Sequence, residues 1–322
     1  MPIVKSHYNP PHIFKSGHFS TIYSGLYRNV SGVYQKRERI TLSDQDFIDL
    51  DWSYAAYQKN VSKLIVILHG LEGNAQRSYI KGTAKLFNEN GYDAVGMNFR
   101  SCSGQPNRLF RSYNAGASED LREVIEHITK KYPQYSHIVL KGFSLGGNML
   151  LKYLGEPIRI PKQVKAAIAV SVPCDLRSSL TQMKRLENHL YSRMFIKYLQ
   201  KKLENKHSSF PSLIKLEEIK AANSMLKIDH LYTSRAHGYK DAFEYYKKAS
   251  SRQFIPNIKI PTLLINAKND SFLSKDCFPI EEAKQNENFY LEMPEYGGHV
   301  GFYTGTDVYY NEERALNFAT LA

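Results

Sequence analysis

In the stretch KGFSLGGNML (Lys141 to Leu150) one serine stands between glycines, in the order Gly142-x-Ser144-x-Gly146. The bare G-x-S-x-G pattern is weak: at about 7% for each residue type it arises by chance in roughly one chain in ten of this length. Its context is narrower. An apolar run, HIVLKGF, precedes the serine, and a helix-like run, LGGNMLLKYLG, follows it. A turn sharp enough to lift a serine above a strand end leaves no room for bulky flanking side chains, and these glycines supply that room. The free N–H groups of the following helix also favour a developing anion. A phosphate loop is not supported, since neither G-x-x-x-x-G-K-[ST] nor G-x-G-x-x-G occurs here. Ser144 is therefore the candidate nucleophile.

A nucleophilic serine needs a base, and the base needs an orienting acid. For a nucleophile on a strand-to-helix turn, the chain order is Ser, then Asp or Glu, then His. Asp270 closes the strand-like PTLLINAKND, and His299 follows the next strand in EYGGHVGF. Both fall at carboxyl ends of successive strands, where open α/β sheets place their sites. Gly297 and Gly298 give the histidine loop freedom to turn toward the serine. Taken singly, Asp270 reads as a turn or cap residue and His299 as structural; their order makes them candidates for acid and base. Asp175, just past AVSVP, is the competing acid, with Asp270 preferred. The oxyanion would be held by two backbone N–H groups, those of Leu145 and of Leu71 in HGLEGN. Cys102, in FRSCSGQPNR, reads as a small buried thiol rather than a nucleophile. The eleven histidines include no H-E-x-x-H and no zinc-type Cys/His spacing, so neither a metal nor a cofactor is expected.

These residues need a scaffold. Short continuous apolar runs alternate with helix-like segments: KLIVILHG, DAVGMNFR, HIVLKGFS, VKAAIAVSVP, then IPTLLINAKND and ENFYLEMPEYGGH. That rhythm predicts a mostly parallel sheet with helices on both faces. In SEDLREVIEHITKKY, Leu121, Val124, Ile125 and Ile128 share one helical face, and Ser118 suits the N-cap. RERITL (Arg37 to Leu42) and DFIDLDWS (Asp46 to Ser53) read as paired early strands joined by SDQ, with Phe47, Ile48 and Leu50 toward an interface and the acids outward. Residues 1–35 lack periodicity and read as an extended arm on the body. From 175 to 257 the strand pattern stops in favour of basic, aromatic helical segments. The expected organisation is a core of 1–174 and 258–322 with a helical cap inserted at 175–257. A last helix is expected over Tyr309 to Thr320.

The chain of 322 residues carries a formal charge of +12. Its Lys and Arg look scattered, the longest clusters being Gln35 to Arg39 and Lys197 to Lys206, and no nucleic-acid signature accompanies them. A solvated basic surface is the plain reading; nucleic acid is not an expected partner, while peripheral contact with an anionic membrane stays open. Three cysteines without paired spacing fit a reducing compartment. With no apolar leader run at the start and no window near 18 apolar residues, the expected location is cytoplasmic.

The motifs RERITLSDQDFIDLDW, HGLEGN, NFRSCSGQPNR, GFSLGGNMLLKYLG, AFEYYKKAS, INAKND and GGHVGF, in this order, resemble the α/β-hydrolase superfamily, and within it the YheT-like branch of type-4 AB-hydrolases. The resemblance implies the α/β-hydrolase fold with Ser144 as nucleophile, Asp270 as acid and His299 as base. Members are described as carboxylesterases, medium-chain alcohol acyltransferase/esterases or phospholipases. Two departures stand out: Ser271 follows the acid where a second Asp is expected, and SDQDF lacks the expected glycine turn. The expected function is hydrolysis of short- or medium-chain carboxylic esters, a small-molecule acyl ester being the partner. Thioesterase, phospholipase or alcohol acyltransferase chemistry on the same residues remains open, as does a non-catalytic binding role. The cap aromatics Phe195, Tyr198, Tyr232, Phe243, Tyr245 and Tyr246 are expected to shape an apolar acyl pocket.

Overall fold

The computed structural model describes residues 2–55 and 60–321. Among them nine strands form one sheet: β1 (Ile3–Val4), β2 (Lys36–Thr41), β3 (Phe47–Ser53), β4 (Lys63–Leu68), β5 (Asp93–Asn98), β6 (His137–Phe143), β7 (Val164–Val170), β8 (Thr262–Ile265) and β9 (Phe289–Glu292). Their order is β1-β9-β8-β7-β6-β4-β5-β3-β2. Pairs from β1 through β5 are parallel, and β3 and β2 add antiparallel at one edge.

The continuous apolar runs follow from coverage on both faces. In β4, Leu64, Val66 and Leu68 enter one core while Ile65 and Ile67 enter the other. The first core takes Leu121, Val124, Ile125 and Ile128 from helix Ser118–Lys131, together with helix Leu145–Gly155. The second takes Ile80, Ala84 and Phe87 from helix Ser78–Glu89, and Ala315, Phe318 and Ala319 from helix Tyr310–Leu321. Each fully buried Leu, Ile or Val stabilises by about 1.5–3 kcal/mol, so no strand residue of β4 beyond Lys63 is free to be polar. Between β7 and β8 the chain is helical, including Leu176–Met183, His189–Ser209 and Ala242–Ala249.

Three local expectations are corrected. The segment expected to be extended carries β1 and a ten-residue helix, Gly17–Leu26, capped by Ser16, whose side chain accepts from the Phe19 N–H. Ser118 is the first helical residue rather than the cap, and its hydroxyl donates to Glu156 instead. Asp49 and Asp51 do not face water but are buried. The hairpin register sets Arg39 opposite Asp49 and Arg37 opposite Asp51, each as a two-pronged guanidinium–carboxylate pair at 2.7–2.9 Å. Burial pushes both carboxyls up, and the guanidinium bonds more than offset it, leaving them below the usual range. In the SDQ turn, Gln45, the departure already noted in the sequence, takes φ +66°. A left-handed conformation costs a non-glycine residue about 1–2 kcal/mol. Gln45→Gly is therefore expected to stabilise the fold by about 0.5–1 kcal/mol in denaturant unfolding.

Arg100, 1% exposed, lies under this hairpin. It donates two parallel bonds of 2.8 Å to Asp120 and further bonds to Asp44 and Asp46 at 2.8 and 3.2 Å. Asp46 in turn accepts from Asn107 and from the Phe47 and Arg108 amides. One buried cation thus ties the β2–β3 turn to the loop after β5 and to helix Ser118–Lys131.

Candidate active site

The strand β6 runs into helix Leu145–Gly155 through Ser144, held at φ +51°, ψ −119°. A β-carbon on Gly142 would come 2.5 Å from the Gly146 carbonyl oxygen, and one on Gly146 would come 2.4 Å from that of His69. The glycines therefore allow the helix start to pack on its own strand and on the end of β4. Gly146→Ala is expected to push these backbones apart, costing about 2 kcal/mol in stability and about 10²-fold in turnover. Comparing its urea midpoint and its ester turnover with the parent checks this.

Ser144 Oγ lies 2.9 Å from His299 Nε2, and His299 Nδ1 lies 2.8 Å from Asp270 Oδ2. The other Asp270 oxygen accepts from the Phe272 N–H at 2.9 Å. Asp175, the competing acid, is elsewhere employed: its carboxylate caps helix Leu176–Met183 by accepting from the Ser178 N–H. The Phe272 ring stacks on the imidazole at 4.3 Å between centroids. Ser271, the departure noted in the sequence, donates to Asn188 Oδ1 at 2.7 Å, and Asn188 Nδ2 returns a bond to the Ser271 carbonyl. That exchange joins the Asp270 turn to the helical segment between β7 and β8.

The histidine loop is fixed through its backbone. Three successive amides, of Gly298, His299 and Val300, donate to Asn269 Oδ1, Thr21 Oγ1 and Ser171 Oγ at 3.0, 2.8 and 2.9 Å. Gly298 adopts φ +57°, and a β-carbon there would meet the Gly17 carbonyl oxygen at 2.2 Å. Helix Gly17–Leu26 is thus part of the frame of the site. Sequence reasoning missed it, because Thr21 and Ser171 are single hydroxyls far from His299 along the chain.

Opposite the serine, the loop after β4 approaches so closely that a β-carbon on Gly70 would lie 3.2 Å from Ser144 Cβ. The amides flanking Leu71 are taken: Gly70 N–H donates to the Tyr79 hydroxyl at 3.1 Å, and Glu72 N–H donates to the Tyr113 hydroxyl at 3.0 Å. Leu71 N–H and Leu145 N–H have no hydrogen-bond partner among the described residues. Glu72, at φ +53°, also receives bonds from Tyr113 and from Lys202 of helix His189–Ser209, at 2.6 and 2.8 Å.

His69 braces the same loop from beneath. Its Nδ1 faces the Gly70 carbonyl at 2.8 Å and its Nε2 accepts from the Phe99 N–H at 3.1 Å, so only the neutral Nδ1–H ring satisfies both. Burial pushes its pKa down to about 3. With the folded value below the unfolded 6.5, the unfolded chain binds more protons between these limits. Stability from this residue is complete above pH about 6.5 and falls as the pH drops toward 3, by up to about 1.4 kcal/mol per unit. Urea midpoints measured at pH 7 and pH 5 test this, with a shallower decline expected for His69→Gln.

Cys102, beside Lys202 at 3.2 Å, is buried, and desolvation pushes its thiol up to about 11, so it stays protonated. The three cysteines are free and buried. A cavity of about 570 Å³ opens over Ser144 and His299. Of the aromatics expected to shape it, Phe195, Tyr198, Tyr232, Tyr245 and Tyr246 line it. Phe243 does not; it is half exposed beside Arg177 and His230.

Residues 63–306 match the family model for the alpha/beta hydrolase fold. The chain belongs to the α/β-hydrolase family. This hydrolase is 33% identical over 296 residues to the Escherichia coli protein named "Putative esterase YheT", covering 91% of this chain and 86% of the other. It is 32% identical to Phospholipase ABHD3 of Mus musculus, over 85% of this chain and 67% of that one. Among solved structures, the Pyrococcus furiosus esterase Pf2001 superposes with a TM-score of 0.60 at 17% identity, covering 99% of each chain. That likeness establishes the shared fold. No helix among the described residues is long and apolar enough to cross a membrane.

Proposed function

We propose that this hydrolase cleaves carboxylic esters of short or medium acyl chain through Ser144. The reading is carried by the hydrogen-bonded row from Ser144 through His299 to Asp270, opening on a largely apolar cavity of the size that holds a small molecule. His299 Nε2 takes the hydroxyl proton as Ser144 Oγ bonds to the ester carbonyl carbon. The carbonyl oxygen becomes an anion facing the N–H groups of Leu71 and Leu145. The C–O bond to the alcohol then breaks, and the leaving oxygen takes the proton from His299. Water, deprotonated by the same nitrogen, attacks the acyl-serine, releasing the acid and restoring Ser144. Asp270 holds the ring in the Nδ1–H form and offsets the charge that appears on it. Residues 175–257 act as a cap over the core of 1–174 and 258–322 and set which acyl group fits.

A glycerolipid ester is the second reading, supported by relatives named Phospholipase ABHD3 and Monoacylglycerol lipase ABHD2. A series of p-nitrophenyl esters of rising chain length tests the proposal, together with labelling by a fluorophosphonate. Turnover peaking at short or medium chains and labelling at Ser144 are expected. If the wild-type protein leaves every ester intact and takes no label, the proposal fails.

A further inference from the structure

The Lys and Arg residues look scattered along the chain, but one run of them lies on and before a helix that borders the cavity. Segment 176–203 holds seven Lys or Arg and one acid, Glu187. Arg185, Lys201 and Lys202 pair with Glu187, Glu204 and Glu72, which leaves Arg177, Lys184, Arg193 and Lys197 without an ion pair among the described residues. Two helices flank the cavity mouth, His189–Ser209 from this segment and Gly17–Leu26, which itself carries no Lys or Arg. His18 and Tyr191 join the helices, their rings stacked at 5.8 Å between centroids.

The same helices expose large apolar side chains at helical spacing. Phe19, Ile22 and Leu26 follow at i, i+3 and i+7; Leu190, Met194 and Tyr198 follow at i, i+4 and i+8. Leu186 just before is 90% exposed, Leu190 77% and Leu26 73%. Single exposed apolar residues are ordinary; two rows meeting at one opening are not. Ile22, Leu26, Met194 and Tyr198 are both exposed and part of the cavity lining, so each row continues from the outer surface into the site. Beside the second row lie the exposed cations Lys184, Arg193 and Lys197. Apolar rows bordered by cations are the surface that settles into the headgroup layer of an anionic bilayer.

We infer that this face docks on an anionic phospholipid surface, seating the cavity mouth against the lipid so that the acyl ester enters without crossing water. The inference deepens the ester-hydrolase reading by naming where its substrate resides, and its test is separable from that reading because docking is measured without turnover. Ser144→Ala protein is mixed with vesicles of phosphatidylcholine alone or with added phosphatidylglycerol, and binding is read by co-sedimentation. Binding to the mixed vesicles only, weakening with salt, is expected. Leu186→Ser with Leu190→Ser lowers it roughly tenfold or more. Lys184→Gln with Arg193→Gln and Lys197→Gln lowers it on the order of a hundredfold, at about fivefold per cation. None of these five residues lines the cavity, so the same changes in the Ser144 parent leave hydrolysis of soluble p-nitrophenyl butyrate unchanged. The inference is overturned if mixed vesicles fail to bind, or if both variants bind like the parent. It is equally overturned if light scattering shows a dimer that the Leu186/Leu190 variant dissolves, since a second copy would then cover this face.

Discussion

Ser144→Ala is expected to lower kcat for p-nitrophenyl butyrate by about 10⁴- to 10⁶-fold with KM little changed, and to end fluorophosphonate labelling. The size follows from what remains. Without Oγ there is no acyl-serine, and only the Leu71 and Leu145 N–H groups and substrate binding would assist attack by water. His299→Ala is expected to cost nearly as much, because an unassisted serine hydroxyl is a poor nucleophile at neutral pH. The double variant should then be little worse than either single one, as residues acting as a unit are far from additive. Losses that multiplied instead would show two independent contributions and would contradict the assigned roles. Near-identical urea midpoints for the parent and Ser144→Ala would place the loss in chemistry rather than folding.

The second large effect concerns folding. Arg100→Met removes the cation shared by Asp44, Asp46 and Asp120, two of which are buried. Stripping one partner from a buried charge cluster typically costs about 3–5 kcal/mol, because the remaining charges keep their desolvation cost without compensation. A loss of that order is expected in urea unfolding at neutral pH. Arg100→Lys should recover only part of it, since an ammonium cannot reproduce the two parallel bonds to Asp120. A change below about 1 kcal/mol for Arg100→Met would show that the three acids are held by their other hydrogen bonds.

The parallel sheet was legible because burial on both faces leaves its strands apolar throughout, and that pattern survives in the linear sequence. Gly142, Ser144 and Gly146 were legible for a similar reason: close packing on the end of β4 is a local demand that only small residues meet. Asp49 and Asp51 were misread because alternation alone assigns charge to water. Only the hairpin register shows that each faces an arginine. Helix Gly17–Leu26 exposes its apolar row and buries Ser20 and Ser24, the reverse of an ordinary surface helix, so its place against the histidine loop could not be read from its pattern. Strand β1 is two residues long and takes its order from β9. Thr21, Ser171 and Asn269 act through one hydrogen bond each to the backbone around His299, a role with no sequence spacing.

The pinning of the histidine loop by Thr21 has a consequence during synthesis. Ile3 pairs with Leu291, and Thr21 holds the His299 amide, so the N-terminal segment is made long before its partners. At typical elongation rates of about 5–20 residues per second the wait is roughly tens of seconds. Over that interval β4 to β7 and the Ser144 turn can assemble, while Thr21 waits for a His299 that has not yet been made. Under the proposed mechanism, a nascent chain is expected to be inert toward the esters around it. The row from Ser144 through His299 to Asp270 is complete only once β9 and the loop after it have been made and Thr21 holds the His299 amide.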